Sequence, residues 1–185
     1  MHCKFIDLNI DHNLLKETYF NLGLDSELDL EPFQVAVQCR KETALDNQKL
    51  EGCGSLIYDW QLYEKNPNGK MPLRSSVLKE ADFNVTCDYV KNTYIETVIN
   101  ELSKKHEVLR GRFLKMSHKT CLSWHVDQSM RIHIPIYTNK DCMMIVDDEI
   151  IRMPFGHTYI VDTTKPHTAL NASKTARVHL VFCVR

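Results

Sequence analysis

Trp124-His125-Val126-Asp127 sets an imidazole and a carboxylate two residues apart, and Pro166-His167 brings a second imidazole further along the chain. On an extended strand, residues i and i+2 project to the same side, so His125 and Asp127 can both reach one ion. Two neutral imidazoles and one carboxylate on one side of a metal leave coordination positions open, a donor set suited to Fe(II) and O2 chemistry. The proline before His167 fits a strand end or a turn, because its ring fixes the backbone locally. Arg177 then stands ten residues beyond His167. Its planar fork can hold a carboxylate through two parallel hydrogen bonds. The joint pattern predicts a metal at His125, Asp127 and His167 with an acidic cosubstrate at Arg177. The alternatives are ordinary: a surface His-Asp pair, an exposed loop histidine and a salt-bridged strand arginine.

The elements that must position these residues are mostly strands. After about residue 108, apolar stretches at 109–116, 120–127, 130–136, 142–146, 148–153, 157–162 and 177–184 are separated by Gly, Asn, Asp or Pro, which predicts a succession of short strands in a sandwich or barrel. Two of them alternate in an informative way. Met130, Ile132, Ile134 and Ile136 share one face while Arg131 and His133 share the other. Val178, Leu180, Phe182 and Val184 likewise oppose Arg177, His179, Val181 and Cys183. A surface strand gives this pattern, and so does a small barrel with a polar, ligand-filled interior and an apolar exterior packed on helices. His179 reads as a structural residue, His157 as an exposed turn residue, and Cys121 and Cys142 as small core residues.

The clearest helix spans 88–106, where Val90, Tyr94, Val98 and Leu102 recur every four residues and Ile95 and Ile99 widen the stripe. A shorter helix is expected over 11–22. The first eighty residues are otherwise irregular, with possible strands at Phe33–Val37 and Ser55–Tyr58. Tyr58, Trp60 and Arg74 are the candidates there for substrate contact, with packing as the alternative for each.

The segment from about 112 to 184 resembles the aspartyl/asparaginyl β-hydroxylase branch of the Fe(II)/2-oxoglutarate oxygenases, a branch that also contains small free-proline hydroxylases. The residues that carry the resemblance are Gly111-Arg112 leading into Phe113-Leu114, His125-Val126-Asp127, Arg131-Ile132-His133-Ile134-Pro135-Ile136, the run from Gly156 through Asp162 to His167, and Arg177. The resemblance implies a mainly β fold with flanking helices, a double-stranded β-helix or cupin-like jelly roll. It implies Fe(II) at His125, Asp127 and His167, the distal carboxylate of 2-oxoglutarate on Arg177, and Arg131 and His133 lining the cosubstrate pocket. O2 would be the oxidant, and an amino acid, free or within a peptide or protein, the substrate. Residues 1–107 would support the core and shape the substrate site, with 108–185 as the core of one domain spanning 1–185. A cupin metalloenzyme that does not use 2-oxoglutarate, and a non-catalytic binding protein on the same fold, are the rival readings.

Bulk composition sets the remaining bounds. The chain has 185 residues, 43% hydrophobic and 25% charged, with a formal net charge of -1. That is an ordinary globular composition, long enough for one sizeable core. It carries no basic excess that would neutralise nucleic-acid phosphates. No apolar run approaches the roughly 18 residues that would span a bilayer, and the N-terminus lacks the features of a secretory signal. The seven scattered cysteines form no CxxC pair and read as reduced thiols, so a cytoplasmic protein is expected.

Overall fold

The computed structural model of the chain describes residues 1–29, 33–58 and 70–185. Twelve strands are described: β1 (Cys3–Ile6), β2 (Gln34–Ala36), β3 (Gln38–Cys39), β4 (Val85–Thr86), β5 (Val108–Met116), β6 (Thr120–Cys121), β7 (Met130–Tyr137), β8 (Cys142–Val146), β9 (Glu149–Ile151), β10 (Thr158–Val161), β11 (His167–Asn171) and β12 (Arg177–Val184). A six-stranded sheet runs β1-β10-β7-β12-β5-β2, and a four-stranded sheet runs β6-β11-β8-β9. Strands β5 to β12 therefore pass back and forth between two antiparallel sheets, which is the double-stranded β-helix. The N-terminal half supplies the two edges of the larger sheet: β1 pairs with β10 and β2 with β5.

The alternation in β7 and β12 resolves in favour of the barrel. Ile132, Ile134 and Ile136, together with Val178, Leu180, Phe182 and Val184, face outward into a core that helices cover. Those helices are α1 (His12–Asn21) and α3 (Tyr94–Ser103), with a short α2 (Leu24–Glu27) after α1. Leu15 and Tyr19 of α1 and Ile95, Val98, Ile99 and Leu102 of α3 are buried in this layer. Each aliphatic side chain fully buried there contributes about 1.5–3 kcal/mol. Arg131, His133, Arg177 and His179 point the other way, into the barrel, and all four are buried. At one end of the barrel interior, Met116, Met144, Val146, Ile151, Met153 and Val161 form a second, smaller core.

Local chemistry explains where these helices start. Asp11 caps α1, its carboxylate accepting from the backbone N–H of Asn13 and Leu14 at 3.0 Å each. The periodic stretch expected as one helix over 88–106 divides. A 3-10 turn covers Asp88–Val90, Asn92 takes a left-handed backbone at φ 59°, and α3 begins after Thr93, whose hydroxyl accepts from the N–H of Ile95. Asparagine tolerates that conformation where most side chains do not.

Three strand expectations are corrected. Only Thr120–Cys121 of the 120–127 segment joins a sheet as a strand, with a single further bridge between His125 and His167. Ser55–Tyr58 forms no strand, only an isolated bridge from Tyr58 to Leu73. β1 and β11 had no counterpart in the expectation: His-Thr-Ala-Leu-Asn in β11 lacks the apolar alternation that announces a strand. Cys121 is exposed rather than a core residue, whereas Cys142 is buried and all seven cysteines are free thiols. No helix among the described residues is long and apolar enough to cross a membrane.

Strand β5 carries a bulge that matters for the interior. Arg112 faces Val181 and Leu109 faces Cys183, so one extra residue lies between them. Arg110 takes the left-handed conformation there, at φ 51°. Next to it Gly111 lies against the outer core: a Cβ at this position would stand 2.4 Å from the Phe182 ring and 2.8 Å from Val37. Gly111→Ala is therefore expected to destabilise the fold by about 1–3 kcal/mol through overpacking, measured as a lower midpoint in chemical denaturation.

Candidate metal and cosubstrate site

His125 lies on the chain between β6 and β7, Asp127 two residues later, and His167 opens β11. The backbone holds the two histidines opposite each other. The N–H of His125 donates to the carbonyl of His167 at 3.0 Å, and the N–H of His167 to the carbonyl of His125 at 2.9 Å. Asp127 is fixed by its own N–H, which donates to the carbonyl of Thr163 at 2.9 Å. One ligand atom from each of the three residues lies within 4.8 Å of the others.

Both rings are turned the same way. Nδ1 of His125 lies 2.8 Å from the carbonyl of Ser123, and Nδ1 of His167 lies 2.9 Å from the carbonyl of Lys165. A carbonyl only accepts, so each Nδ1 carries the proton and each Nε2 keeps its lone pair. Such backbone contacts are what orients a metal-ligating imidazole. Burial lowers the pKa of His167 from its ordinary value, which favours the neutral ring. Asp127 Oδ2 is 3.7 Å from His167 Nε2.

Arg131 sits behind the carboxylate. Its Nε lies 3.1 Å from Asp127 Oδ2, its Nη2 donates to Glu80 Oε1 at 2.6 Å, and its Nη1 donates to the Ser129 hydroxyl at 2.6 Å. Ser129 in turn donates to Glu80 Oε2 at 2.7 Å. Arg131 thus lines the cavity at its place on β7, but its fork is occupied by Glu80, Ser129 and Asp127. Glu80, in the 3-10 turn Glu80–Asp82, has no local sequence signal: it is one acid in a polar stretch, and only the fold brings it to Arg131.

Deeper in the barrel lies a second group. Arg177 is buried, makes no hydrogen bond or ion pair among the described residues, and its Nε has no partner there. Burial lowers its pKa to about 10, so it remains a cation at neutral pH. His133 and His179 meet at 3.4 Å through their Nδ1 atoms, and both Nε2 atoms are unpartnered. Burial, and then the charge of Arg177, push both imidazoles well below the ordinary histidine pKa, leaving them neutral. His179, read from the sequence as structural, therefore presents an open ring nitrogen beside Arg177. Unsatisfied buried polar groups are rare and costly, and three of the four described in this protein belong to this one interior.

A cavity of about 260 Å³ joins the two groups, with His125, Asp127, Arg131, His133, His167 and Arg177 all in its lining. Tyr58 and Arg74 are not brought to it. Tyr58 lies exposed in its bridge with Leu73, and Arg74 donates through Nε to the carbonyl of Ser55 in the same surface region. Trp60 lies outside the described residues. Arg110 and Arg112 do line the cavity; their alternation with Gly111 and Phe113 on a strand is the signal that could have marked them.

The profile of the aspartyl/asparaginyl beta-hydroxylase family matches residues 37–185. The chain belongs to this family. An L-proline cis-4-hydroxylase of Rhizobium meliloti (strain 1021) is 31% identical over 94 residues, which cover 45% of this chain and 34% of that one. The chain thus matches about a third of that relative's length. Among solved structures, it is similar to a Pseudomonas putida prolyl-4-hydroxylase at 9% identity and a TM-score of 0.49, covering 100% of this chain and 92% of the other. It is also similar to a 2OG-Fe(II) oxygenase family oxidoreductase from Burkholderia pseudomallei at 13% identity and a TM-score of 0.44, covering 51% and 59%.

For this aspartyl/asparaginyl β-hydroxylase family member, Glu80 generates a stability prediction. Burial alone would raise its pKa, but the hydrogen bond and charge of Arg131 and the Ser129 hydroxyl outweigh it and hold the carboxyl at about 2. A folded pKa below the ordinary 4.5 stabilises the fold above that pH, and the contribution is lost as pH falls towards 2. Glu80→Ala is expected to cost about 3–5 kcal/mol at neutral pH, because Arg131 loses a buried partner. In denaturant titrations between neutral pH and pH ~2, the gap between wild type and variant should narrow with acidity. A constant gap would remove Glu80 as the group responsible.

Proposed function

We propose that this protein is an Fe(II)- and 2-oxoglutarate-dependent dioxygenase that hydroxylates an amino acid, free or within a peptide or protein. The observation that carries this reading is Arg177: a buried cation without a partner among the described residues, opening into the same cavity as the His125, Asp127 and His167 set. A guanidinium left alone in a protein interior is unfavourable unless an anion joins it. The donor set fits the metal, with two imidazole nitrogens and one carboxylate oxygen on one side of a shared point. The orphaned buried donors fit the cosubstrate.

His125 and His167 would hold the iron through Nε2 and Asp127 through its carboxylate. Arg177 would take the distal carboxylate of 2-oxoglutarate, and the open Nε2 of His133 would face its chain. Bound there, Fe(II) and 2-oxoglutarate supply an O2-dependent oxidative decarboxylation to succinate and CO2, coupled to hydroxylation of a substrate carbon. This chain's residues do the rest. The Ser123 and Lys165 carbonyls keep both rings aimed. Arg131 keeps Asp127 from rotating away. The similarity to an L-proline cis-4-hydroxylase supports an amino acid as the substrate class.

Anaerobic titration with Fe(II) and then 2-oxoglutarate tests the reading. A weak visible charge-transfer band is expected in the wild type. His167→Ala should abolish it. Arg177→Gln should weaken 2-oxoglutarate binding at least about tenfold, the scale of a lost charge-assisted pair. Absence of any band in folded wild-type protein would sink the cosubstrate assignment. Substrate-dependent turnover that survives in Arg177→Gln would instead favour a cupin metalloenzyme that does not use 2-oxoglutarate.

A further inference from the structure

The two strands that fill the interior repeat one motif. Arg131-Ile132-His133 on β7 and Arg177-Val178-His179 on β12 each place an arginine and a histidine two residues apart on the inward face. The strands are antiparallel neighbours, with His133 opposite Val181 and His179 opposite Pro135. Pro135 has no N–H to give to the ladder, and the pairing shifts register between Val178 and His179. The two imidazoles meet at this irregularity. Their Nδ1 atoms are 3.4 Å apart, with the rings edge to face at 79° and 5.6 Å between centroids. The proposed function uses His133, whose ring lines the cavity. It gives His179 no task, although this ring is only 1% exposed and its Nε2 has no partner among the described residues.

A neutral imidazole carries one N–H and one lone pair, and its two tautomers exchange them. Two Nδ1–H groups facing each other at this distance repel, and so do two bare Nδ1 atoms. The contact is attractive only when one Nδ1 is protonated and the other bare, so the rings hold opposite tautomers. One Nε2 is then a donor and the other an acceptor. The surroundings decide which. His179 is absent from the cavity lining, and the charge that acts on it most strongly is that of Arg177. An Nε2–H on His179 would be a buried donor without an acceptor, beside a cation. A bare Nε2 presents its lone pair to the same cation. His133 faces the cavity, where an N–H can meet water or an anion.

Resting on the proposed function, we propose that His179 is a positioning residue: its Nδ1–H donates to Nδ1 of His133 and fixes His133 as the Nε2–H tautomer, which offers a neutral donor to bound 2-oxoglutarate. The consequence is one of sign. In the other tautomer His133 would aim a lone pair at an anion and oppose the pairing assigned to Arg177. The contrast with the metal-site imidazoles is instructive. Carbonyls fix Nδ1–H on His125 and His167, which leaves Nε2 bare for a metal. A carbonyl behind His133 would fix that same tautomer, the wrong one for meeting a carboxylate. Only a donor at Nδ1 gives the opposite tautomer, and a second imidazole supplies one. The donor it creates is also uncharged. Burial, Arg177, Arg131 and Arg112 all disfavour an imidazolium at His133, so the interior gains an N–H without a further positive charge.

Nitrogen-15 NMR of the histidine rings tests this on the full chain loaded with Zn(II), a diamagnetic stand-in for iron, with and without saturating 2-oxoglutarate. His133 is expected as Nε2–H and His179 as Nδ1–H in both samples, with His133→Asn and His179→Asn used to assign the signals. Calorimetry on the same samples gives the 2-oxoglutarate affinity. His179→Leu removes the donor and should weaken 2-oxoglutarate roughly three- to tenfold, the scale of one neutral hydrogen bond. The ring nitrogens of His133 should then move to the averaged shifts of two exchanging tautomers. His179→Asn keeps an N–H near the Nδ1 position and should restore most of the affinity, whereas a role in packing alone would be met as well by leucine. His133 found as Nδ1–H, the same tautomer on both rings, or an imidazolium at either position overturns the proposal. So does full 2-oxoglutarate affinity in His179→Leu, or an asparagine variant no better than leucine. Failure of the wild type to bind 2-oxoglutarate would count against the proposed function alone, since the spectrum without it still decides the tautomers. If His179→Leu does not fold, the wild-type spectra decide.

Discussion

Strands β7 and β12 must present opposite solvation on their two faces, and most of the molecule follows from that requirement. One face, with Ile132, Ile134, Ile136, Leu180 and Phe182, is useful only if something apolar covers it, and α1 and α3 do so. The other face carries Arg131, His133, Arg177 and His179, which cannot sit against an apolar layer. A slip of one residue in either strand would exchange the two sets, exposing the isoleucines and driving the cations into the helical core. The register between β7 and β12 is therefore fixed by the large penalty for every alternative. Because these strands are neighbours in the larger sheet, their inward residues converge, and the interior is polar at one place and filled with Met and Val at another.

The same requirement explains how much was legible beforehand. Alternation is a local property, so the two faces of β7 and β12 could be read from eight consecutive residues each. The His-x-Asp spacing is local as well, and most of the strands after residue 108 follow from short apolar segments punctuated by turn residues. Glu80 is different. Nothing near it in sequence distinguishes it from Asp82 or Glu51, and its role exists only because a 3-10 turn packs it beside Arg131, far along the chain. Arg110 and Arg112 alternate with Gly111 and Phe113, so their shared face is legible, but nothing local says that this face lines a cavity. β11 was missed because its inward residues are His167, Ala169 and Asn171, chosen for the site and for close packing rather than for apolar alternation. His179 was read as structural since alternation gives a face, not what else occupies that face.

Positive charge in the interior is the less common feature of this barrel. Burying a guanidinium is costly, and a protein usually keeps arginine at the surface. Here four arginines line one cavity, and the described protein groups match them unequally. Arg131 is fully engaged and acts within the protein, linking Glu80 to Asp127. Arg177 has no partner among the described residues, Arg110 has carbonyl dipoles, and Arg112 has a carbonyl and an amide oxygen. This gradient has a physical meaning. A cation satisfied by its own protein gains little from a ligand, whereas one held in place but left without an anion gains the most, because its desolvation has already occurred on folding. An arginine left without an anion is therefore the place where an anionic ligand would stabilise the folded state most.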